Sequence, residues 1–177
     1  MNLTKPQFIV YACPTGELNT QLETYLQLSR EQCGENNAHN YMPHCTLTGF
    51  FTDESSSADC YLEALDEAYK KSDRSFKIKI KQLVLNPEWH GLELQAEKIK
   101  DLIKDFVRLE TSPTRQENIR LKVWLHLSLA YGFKPQDRAK LETLARETIN
   151  LAADVVWELR FYQRIKGNWD CLKTWTL

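Results

Sequence analysis

Apolar and polar residues alternate along the chain in blocks that predict strands and helices in turn. A run of β-forming residues at 8–13 is closed by Pro14 and Gly16, which predicts a strand and a turn. Apolar residues then recur at helical spacing, and a second such pattern follows capping residues before Leu62. Between these helices, residues 44–51 are predicted to form a strand. The first half is therefore expected to run strand, helix, strand, helix.

The second half is predicted to repeat this order of elements. Phe76, Ile78 and Ile80 alternate with lysines, which predicts a half-buried strand. A hairpin partner and a third helix follow, and then a strand at about 121–131 and a fourth helix that Pro135 opens. The chain closes in a predicted hairpin, whose strands lie near 154–165 and at the C-terminal end, with Gly167-Asn168 in the turn.

Length and composition fit one soluble globular domain. The chain has 177 residues, of which 42% are hydrophobic and 27% charged, so it is long enough to bury its own core. We predict a single domain over 1–177, in which two halves share a core. No long apolar segment resembles a signal peptide or a membrane span, which predicts a cytoplasmic protein with no membrane partner.

Charge and cysteine content narrow the classes of partner further. Lys and Arg number 23 against 24 Asp and Glu, so no global field attracts DNA, and any anion must be bound locally. Five cysteines without a C-x-x-C pair are typical of free thiols in a reducing compartment. One bridge, such as Cys60 with Cys171, stays possible.

Two short segments carry candidate chemistry. "PHCTL" contains His44 and Thr46, and "LHLSL" contains His126 and Ser128. Side chains two residues apart in a strand share a face, so each histidine lies beside a hydroxyl, with Thr48 expected on the same face of the first strand. Two imidazoles can act together as general base and general acid near neutral pH, and the hydroxyls can bind phosphate oxygens.

The repetition of the motif is the observation that favours function. One histidine and one threonine on an exposed strand face are common, but here two of only four histidines occur in matching contexts, one in each half. The two motifs resemble those of the 2H phosphoesterase superfamily, and the chain is most similar to its small cyclic phosphodiesterases. This resemblance covers almost the whole chain, although its specific part is the two motifs.

The resemblance implies a fold and an activity. It implies a bilobal, duplicated α+β fold with an antiparallel sheet in each lobe, helices on the outer faces and a cleft between the lobes. It also implies hydrolysis of a 2′,3′-cyclic nucleotide or of ADP-ribose 1″,2″-cyclic phosphate, without a metal or another cofactor. His44 and His126 would be catalytic, with His126 as base and His44 as acid, and Thr46 and Ser128 would bind phosphate.

Several aromatic residues near the motifs are candidates for substrate binding. Tyr41 precedes the first motif, Tyr131 ends the second, and Trp89 with His90 lies in a predicted turn. An aromatic ring can stack on a base, but an interior or rim position is the simpler explanation of each of these residues. A basic cluster before the second motif, comprising Arg115, Arg120 and Lys122, could contact an RNA backbone. Phe50 and Phe133 are predicted to lie in the core.

Other functions compete with cyclic phosphate hydrolysis. One is 2′-5′ RNA ligation or 2′,5′-phosphodiester cleavage on RNA, and another is a non-catalytic module that binds a nucleotide or an RNA end. A metal site that combines both motif histidines with His90 and Cys45 lacks the usual ligand spacing. No G-x-S-x-G elbow supports a serine hydrolase. We expect a monomer whose partner is a small cyclic phosphate or an RNA end.

Overall fold

Eight strands and four α-helices make up residues 5–177, the part that this computed structural model describes. The first four residues of the domain predicted at 1–177 lie outside the described residues. The strands are β1 (Gln7–Thr15), β2 (Cys45–Thr46), β3 (Phe51–Thr52), β4 (Lys79–Leu85), β5 (Trp89–Gln95), β6 (Leu125–Tyr131), β7 (Val156–Ile165) and β8 (Asn168–Thr176). The helices are α1 (Glu17–Cys33), α2 (Ala58–Lys71), α3 (Glu97–Leu109) and α4 (Arg138–Thr148).

All strands pair antiparallel in one sheet. Their spatial order is β4-β5-β6-β2-β1-β7-β8, and the short β3 pairs with β1 beside β2. The predicted α+β class and the predicted element order are therefore confirmed. The sheet is not divided into one sheet per lobe, because β2 of the first half pairs with β6 of the second. The duplication of the halves and the cleft between lobes stay predictions.

The helices cover one face of the sheet and leave the other open. On β1, Phe8, Val10 and Ala12 point into the main core, and every helix contributes its apolar stripe to that same core. Burying each large side chain there stabilises the fold by about 1.5–3 kcal/mol. Ile9, Tyr11 and Cys13 alternate with these residues and point to the open face, where they form a small second cluster with Tyr162. One face of β1 thus packs in the main core, and the other contributes to the cluster on the open face.

The first motif lies in a shorter strand than the sequence predicts. Residues 44–51 do not form one strand, because the backbone N–H groups of Leu47 and Thr48 both donate to the Val10 carbonyl, at 3.0 and 3.4 Å. The Thr48 hydroxyl accepts from the Val10 N–H at 3.1 Å, and Thr48 is fully buried. The expectation that Thr48 shares a face with His44 and Thr46 is therefore wrong, since this irregularity reverses the alternation of side chains.

Most other local predictions hold. Phe76, Ile78 and Ile80 pack against the main core, although β4 begins only at Lys79. The closing hairpin turns at Lys166 and Gly167, whose φ angles of 50° and 86° are those of a type I′ turn. Asn168, predicted in the turn, is the first residue of β8.

Two general features of the chain are also visible. All five cysteines are free thiols, so the possible bridge between Cys60 and Cys171 does not form. Within the described range, none of the helices combines the length and the apolar character that crossing a membrane requires.

Candidate active site

The pairing of β2 with β6 brings the two histidine motifs together. Cys45 lies opposite Leu127, and this antiparallel register places Thr46 beside His126 and His44 beside Ser128. Directly opposed side chains on one face of a sheet are about 4.5–5.5 Å apart at their Cβ atoms. Cys45 and Leu127 point into the main core. The two histidines and two hydroxyl residues of the motifs therefore point to the open face. Two segments from different halves of the chain become neighbours there.

A pocket of about 360 Å³ lies at this junction, a size suited to a small ligand. All seven residues that the sequence predicts for the site line it: Tyr41, His44, Thr46, Trp89, His126, Ser128 and Tyr131. Arg120 and Lys122 of the basic cluster also line it. Arg115, the third member of that cluster, instead forms an ion pair with Glu110 and is mostly buried away from the pocket.

His44 is oriented by a backbone carbonyl. Its Nδ1–H donates to the Met42 oxygen at 2.7 Å, which leaves Nε2 without a proton in the neutral ring. The Tyr11 ring lies against the imidazole with centroids 4.1 Å apart, and Tyr41 lies 5.5 Å away. Burial lowers the pKa of His44, and the charge of His126 lowers it further, while the Met42 carbonyl opposes both. The free side chain is therefore mostly neutral at pH 7.

His126 is held by aromatic rings rather than by hydrogen bonds. It stacks on Trp124 with centroids 4.0 Å apart, and Trp89 meets it edge-on at 5.2 Å. Its Nδ1 is buried without a hydrogen-bond partner. Burial lowers the pKa of His126, the Trp124 carbonyl opposes this shift, and the positive charge of Lys122 adds to it.

The Ser128 oxygen accepts a hydrogen bond, which leaves the hydroxyl hydrogen of Ser128 available to a ligand. The indole Nε1–H of Trp89 donates to the Ser128 oxygen at 2.9 Å. An indole N–H can only donate, so the serine hydroxyl hydrogen stays available to a ligand oxygen. Trp89 reaches across Gly91, which pairs with Ser128, and a Cβ at Gly91 would lie 2.3 Å from the indole ring. Glycine at this position is what lets the ring lie over the strand.

The remaining aromatic candidates surround the pocket in different ways. Tyr41 contacts both His44 and Trp169, and burial raises the pKa of Tyr131, which lies near Tyr41. Trp89 and His90 are not in a turn, because β5 already begins at Trp89. Since neighbouring residues of a strand face opposite sides, His90 is buried on the helix side against Phe133, with ring centroids 4.8 Å apart. His90 is thus no part of the pocket.

The structure also adds residues that the sequence analysis missed. Tyr11 lies in an apolar run and was predicted only as part of a strand, yet it is on the open face against His44. Its place in the alternation with Phe8 and Val10 was the available signal. Phe50, predicted in the core, lines the pocket instead. The Met42 carbonyl and the stacking of Trp124 had no sequence signal, because both depend on how loops fold over the strands.

The donors of the alternative metal site are separated by the sheet. Cys45 and His90 lie on the helix side, and the motif histidines lie on the open face. Within residues 5–177, no group of three or more His, Cys, Asp or Glu side chains is arranged to bind a metal ion.

The chain is similar to part of several longer proteins. It is 32% identical over 162 residues to ubiquitin-associated and SH3 domain-containing protein B of Mus musculus, a match that covers 89% of this chain and 25% of that protein. It is 31% identical over 163 residues to an ecdysteroid-phosphate phosphatase of Bombyx mori, covering 89% of this chain and 24% of that enzyme. A protein of the latter name in Drosophila melanogaster is 29% identical over 198 residues, covering 89% of this chain and 26% of its own length.

These matches have a clear limit. The chain spans about a quarter of the length of the curated relatives it matches. No model of a known protein family matches it. The names of two relatives are those of phosphatases, and none names the 2H phosphoesterase superfamily, so that resemblance rests on the motifs and stays a prediction.

Proposed function

We propose that this protein hydrolyses a cyclic phosphate, such as a 2′,3′-cyclic nucleotide or ADP-ribose 1″,2″-cyclic phosphate, by acid–base catalysis at His44 and His126. The observation that carries the proposal is the register of β2 against β6, which places each histidine beside the hydroxyl of the other motif. This crossed arrangement surrounds one point in the pocket with two imidazoles and two hydroxyls. It suits a tetrahedral phosphate, and it is what two halves of a duplicated 2H phosphoesterase fold would produce.

The proposed reaction needs only water and the side chains of the pocket. One histidine removes a proton from water as the water oxygen bonds to phosphorus. The bond between phosphorus and one ribose oxygen breaks, and the second histidine gives that oxygen a proton. The product is a phosphomonoester, and the pair of histidines has exchanged protonation states. General acid–base assistance of this kind typically contributes about 10²- to 10⁴-fold in rate, and this scheme requires no cofactor.

The surroundings of the two rings support His126 as base and His44 as acid. The acid must be an imidazolium when substrate is bound, and the Met42 carbonyl at Nδ1 of His44 stabilises that form. The Trp124 carbonyl opposes the lowering of the His126 pKa, but His126 has no such hydrogen bond at Nδ1 and has the positive charge of Lys122 nearby. Both features favour the neutral ring, which is the form that a base needs. The anionic phosphate itself would raise the pKa of His44 on binding.

Thr46 and Ser128 are proposed to bind the phosphate oxygens, with Trp89 fixing the serine hydroxyl. Tyr41 and Tyr131 are proposed to contact the rest of the substrate at the rim. The partner would be a small cyclic phosphate or the end of an RNA, bound by a monomer. Ligation or cleavage of 2′-5′ RNA bonds and binding without turnover remain the competing functions, and the experiment below separates them.

A phosphomonoester is the second candidate substrate, because the two insect relatives are named as phosphatases of a steroid phosphate. Those names describe proteins about four times the length of the matched segment. The named activity can therefore belong to a different part of those proteins. The two candidates differ in their products: a phosphomonoesterase releases inorganic phosphate, and hydrolysis of a cyclic phosphate does not.

The test is turnover in excess EDTA of the four 2′,3′-cyclic nucleotides, ADP-ribose 1″,2″-cyclic phosphate, a 2′-5′-linked dinucleotide and p-nitrophenyl phosphate. We expect turnover of a cyclic phosphate, with a loss of at least about 10²-fold in His44→Ala and in His126→Ala. Urea unfolding of each variant establishes that it is folded. Release of inorganic phosphate from p-nitrophenyl phosphate alone would favour the second candidate. Tight binding of a cyclic nucleotide without product would support the binding module.

A further inference from the structure

The pocket collects positive charge in a protein that has almost none overall. The net charge of the whole chain is −1, yet the pocket is lined by Arg120 and Lys122 in addition to the two motif histidines, and by no aspartate or glutamate of the described chain. Such a local field concentrates anions at the site. The charge is greater than the reacting group needs, because a cyclic phosphate diester carries a single negative charge.

Arg120 and Lys122 are not neutralised by the protein. Neither takes part in any ion pair formed within residues 5–177. Arg115, only five positions earlier, shows the contrast, since it is paired with Glu110. Lys122 is close enough to His126 to lower the pKa of that ring. An anion near Lys122 would therefore also lie near the reacting centre.

The backbone positions both cations beside the first motif. The N–H of Gly49 donates to the Arg120 carbonyl at 2.7 Å, and the N–H of Lys122 donates to the Leu47 carbonyl at 3.1 Å. The Arg120 side chain rests on Gly49, where a Cβ would come within 3.1 Å of Nε. The segment that contains Arg120 and Lys122 thus pairs with the chain that leaves Thr46. Both residues lie at the side of the pocket where β2 ends and the chain approaches β6.

We propose that Arg120 and Lys122 form a second anion subsite, which binds a phosphate other than the one that reacts. Resting on the proposed function, this inference specifies the substrate as a ribose cyclic phosphate with a further phosphate on its 5′ side. A 5′-phosphorylated mononucleotide and the last linkage of an RNA both supply that group. Arginine binds phosphate through a planar fork of donors, and lysine adds a compact charge beside it.

The test compares ligands with and without this phosphate. Adenosine 2′,3′-cyclic phosphate, its 5′-phosphorylated form and the dinucleotide ApA ending in a 2′,3′-cyclic phosphate are assayed for kcat/KM. In parallel, adenosine 3′-phosphate and adenosine 3′,5′-bisphosphate are assayed for binding by calorimetry, which does not require turnover. We expect the additional phosphate to improve kcat/KM and affinity by about tenfold. The mononucleotide and dinucleotide arms distinguish the two sources of phosphate.

Two double variants test whether the preference for the additional phosphate depends on Arg120 and Lys122. Arg120→Gln with Lys122→Gln is expected to bring the ratio between the paired ligands close to one. Lys77→Gln with Lys79→Gln removes the same two charges at exposed positions outside the pocket, and the ratio should remain. Equal affinity for the two adenosine phosphates in the wild-type protein would overturn the subsite. Tighter binding of the bisphosphate without any turnover would keep the subsite and reject the proposed hydrolysis.

Discussion

At the scale of single residues, neighbouring groups set the hydrogen-bonding state of His44 and Ser128. Met42 fixes the tautomer of His44, and the Trp89 hydrogen bond occupies one lone pair of the Ser128 oxygen and leaves its hydrogen available to a ligand. Gly91 contributes by having no side chain where the indole must lie. A hydroxyl oxygen that already accepts a hydrogen bond is held in place before a ligand binds, so less freedom is lost on binding.

Replacing Trp89 by phenylalanine should weaken phosphate binding, because phenylalanine retains an aromatic ring but lacks the N–H. The loss of one hydrogen bond to the Ser128 oxygen is worth about 1 kcal/mol, or roughly fivefold in kcat/KM. A double-mutant cycle of Trp89→Phe and Ser128→Ala measures this coupling. If the tryptophan acts through the serine, the double variant loses little more than Ser128→Ala alone. Fully additive losses would show that Trp89 acts in another way.

If His44 and His126 act as the proposed acid and base, kcat/KM should have an acidic optimum. Burial lowers the pKa of both His44 and His126 from the usual value of about 6.5. One ring must be protonated for catalysis, and a lowered pKa means that this proton is lost at a lower pH. We therefore expect kcat/KM, which reports on the free enzyme, to fall as pH rises above about 6.5. A profile that rises between pH 6.5 and 8 would contradict this account.

The corresponding profile of kcat provides the control. Bound anionic substrate stabilises the imidazolium, so the descending limb of kcat should lie at higher pH than that of kcat/KM. Coincident limbs would mean that substrate does not interact with the titrating histidine.

At the scale of elements, the buried carboxylate of Asp53 anchors the long connection between α3 and β6 through hydrogen bonds. Asp53, which precedes α2, is fully buried and accepts hydrogen bonds from Tyr61, Ser112 and Thr114 at 2.5–2.7 Å. Ser112 and Thr114 belong to that connection, which leads into the segment containing Arg120 and Lys122. Burial opposes ionisation, but these hydrogen bonds and the N–H of Glu54 outweigh it and lower the pKa of Asp53 to about 2.

Asp53→Asn should therefore destabilise the protein in a way that depends on pH. A folded-state pKa of about 2, below the unfolded value of about 3.9, means that ionised Asp53 stabilises the fold above pH 4. That contribution is lost as pH falls from about 4 to 2. We expect a loss of about 2 kcal/mol in the free energy of unfolding at pH 7, measured with urea, and a smaller difference at pH 3.

Asp170→Asn, at an exposed position of β8, is the matched control and should change stability by less than about 0.5 kcal/mol. A difference between Asp53→Asn and the wild type that stays constant from pH 7 to pH 3 would contradict the role assigned to the charge.

At the scale of the whole molecule, the order of strands in the sheet determines the site. Because β2 and β6 are neighbours at the centre, the sheet brings together two motifs that lie far apart in the chain. The helices cover the opposite face, so the open face can carry polar and aromatic groups without interrupting the main core. A near-neutral chain can in this way present a locally positive pocket.

The sequence by itself determined much of the local structure and which side chains line the pocket. Hydrophobic periodicity predicts the helices and most strands because it reflects which face of each element is buried. The repeated His-x-Thr/Ser pattern predicts that His44, Thr46, His126 and Ser128 belong to the site, since alternation along a strand places each pair on one face. All seven predicted site residues accordingly line one pocket.

Only the tertiary structure decided how these parts meet. The pairing of β2 with β6, the inward turn of Thr48, the hydrogen bond from Trp89 to Ser128 and the burial of His90 behind the sheet all depend on contacts between distant segments. Local periodicity contains no information about which strand lies beside which. The physical reason is that strand pairing is fixed by the packing of the whole core, to which every element contributes at once.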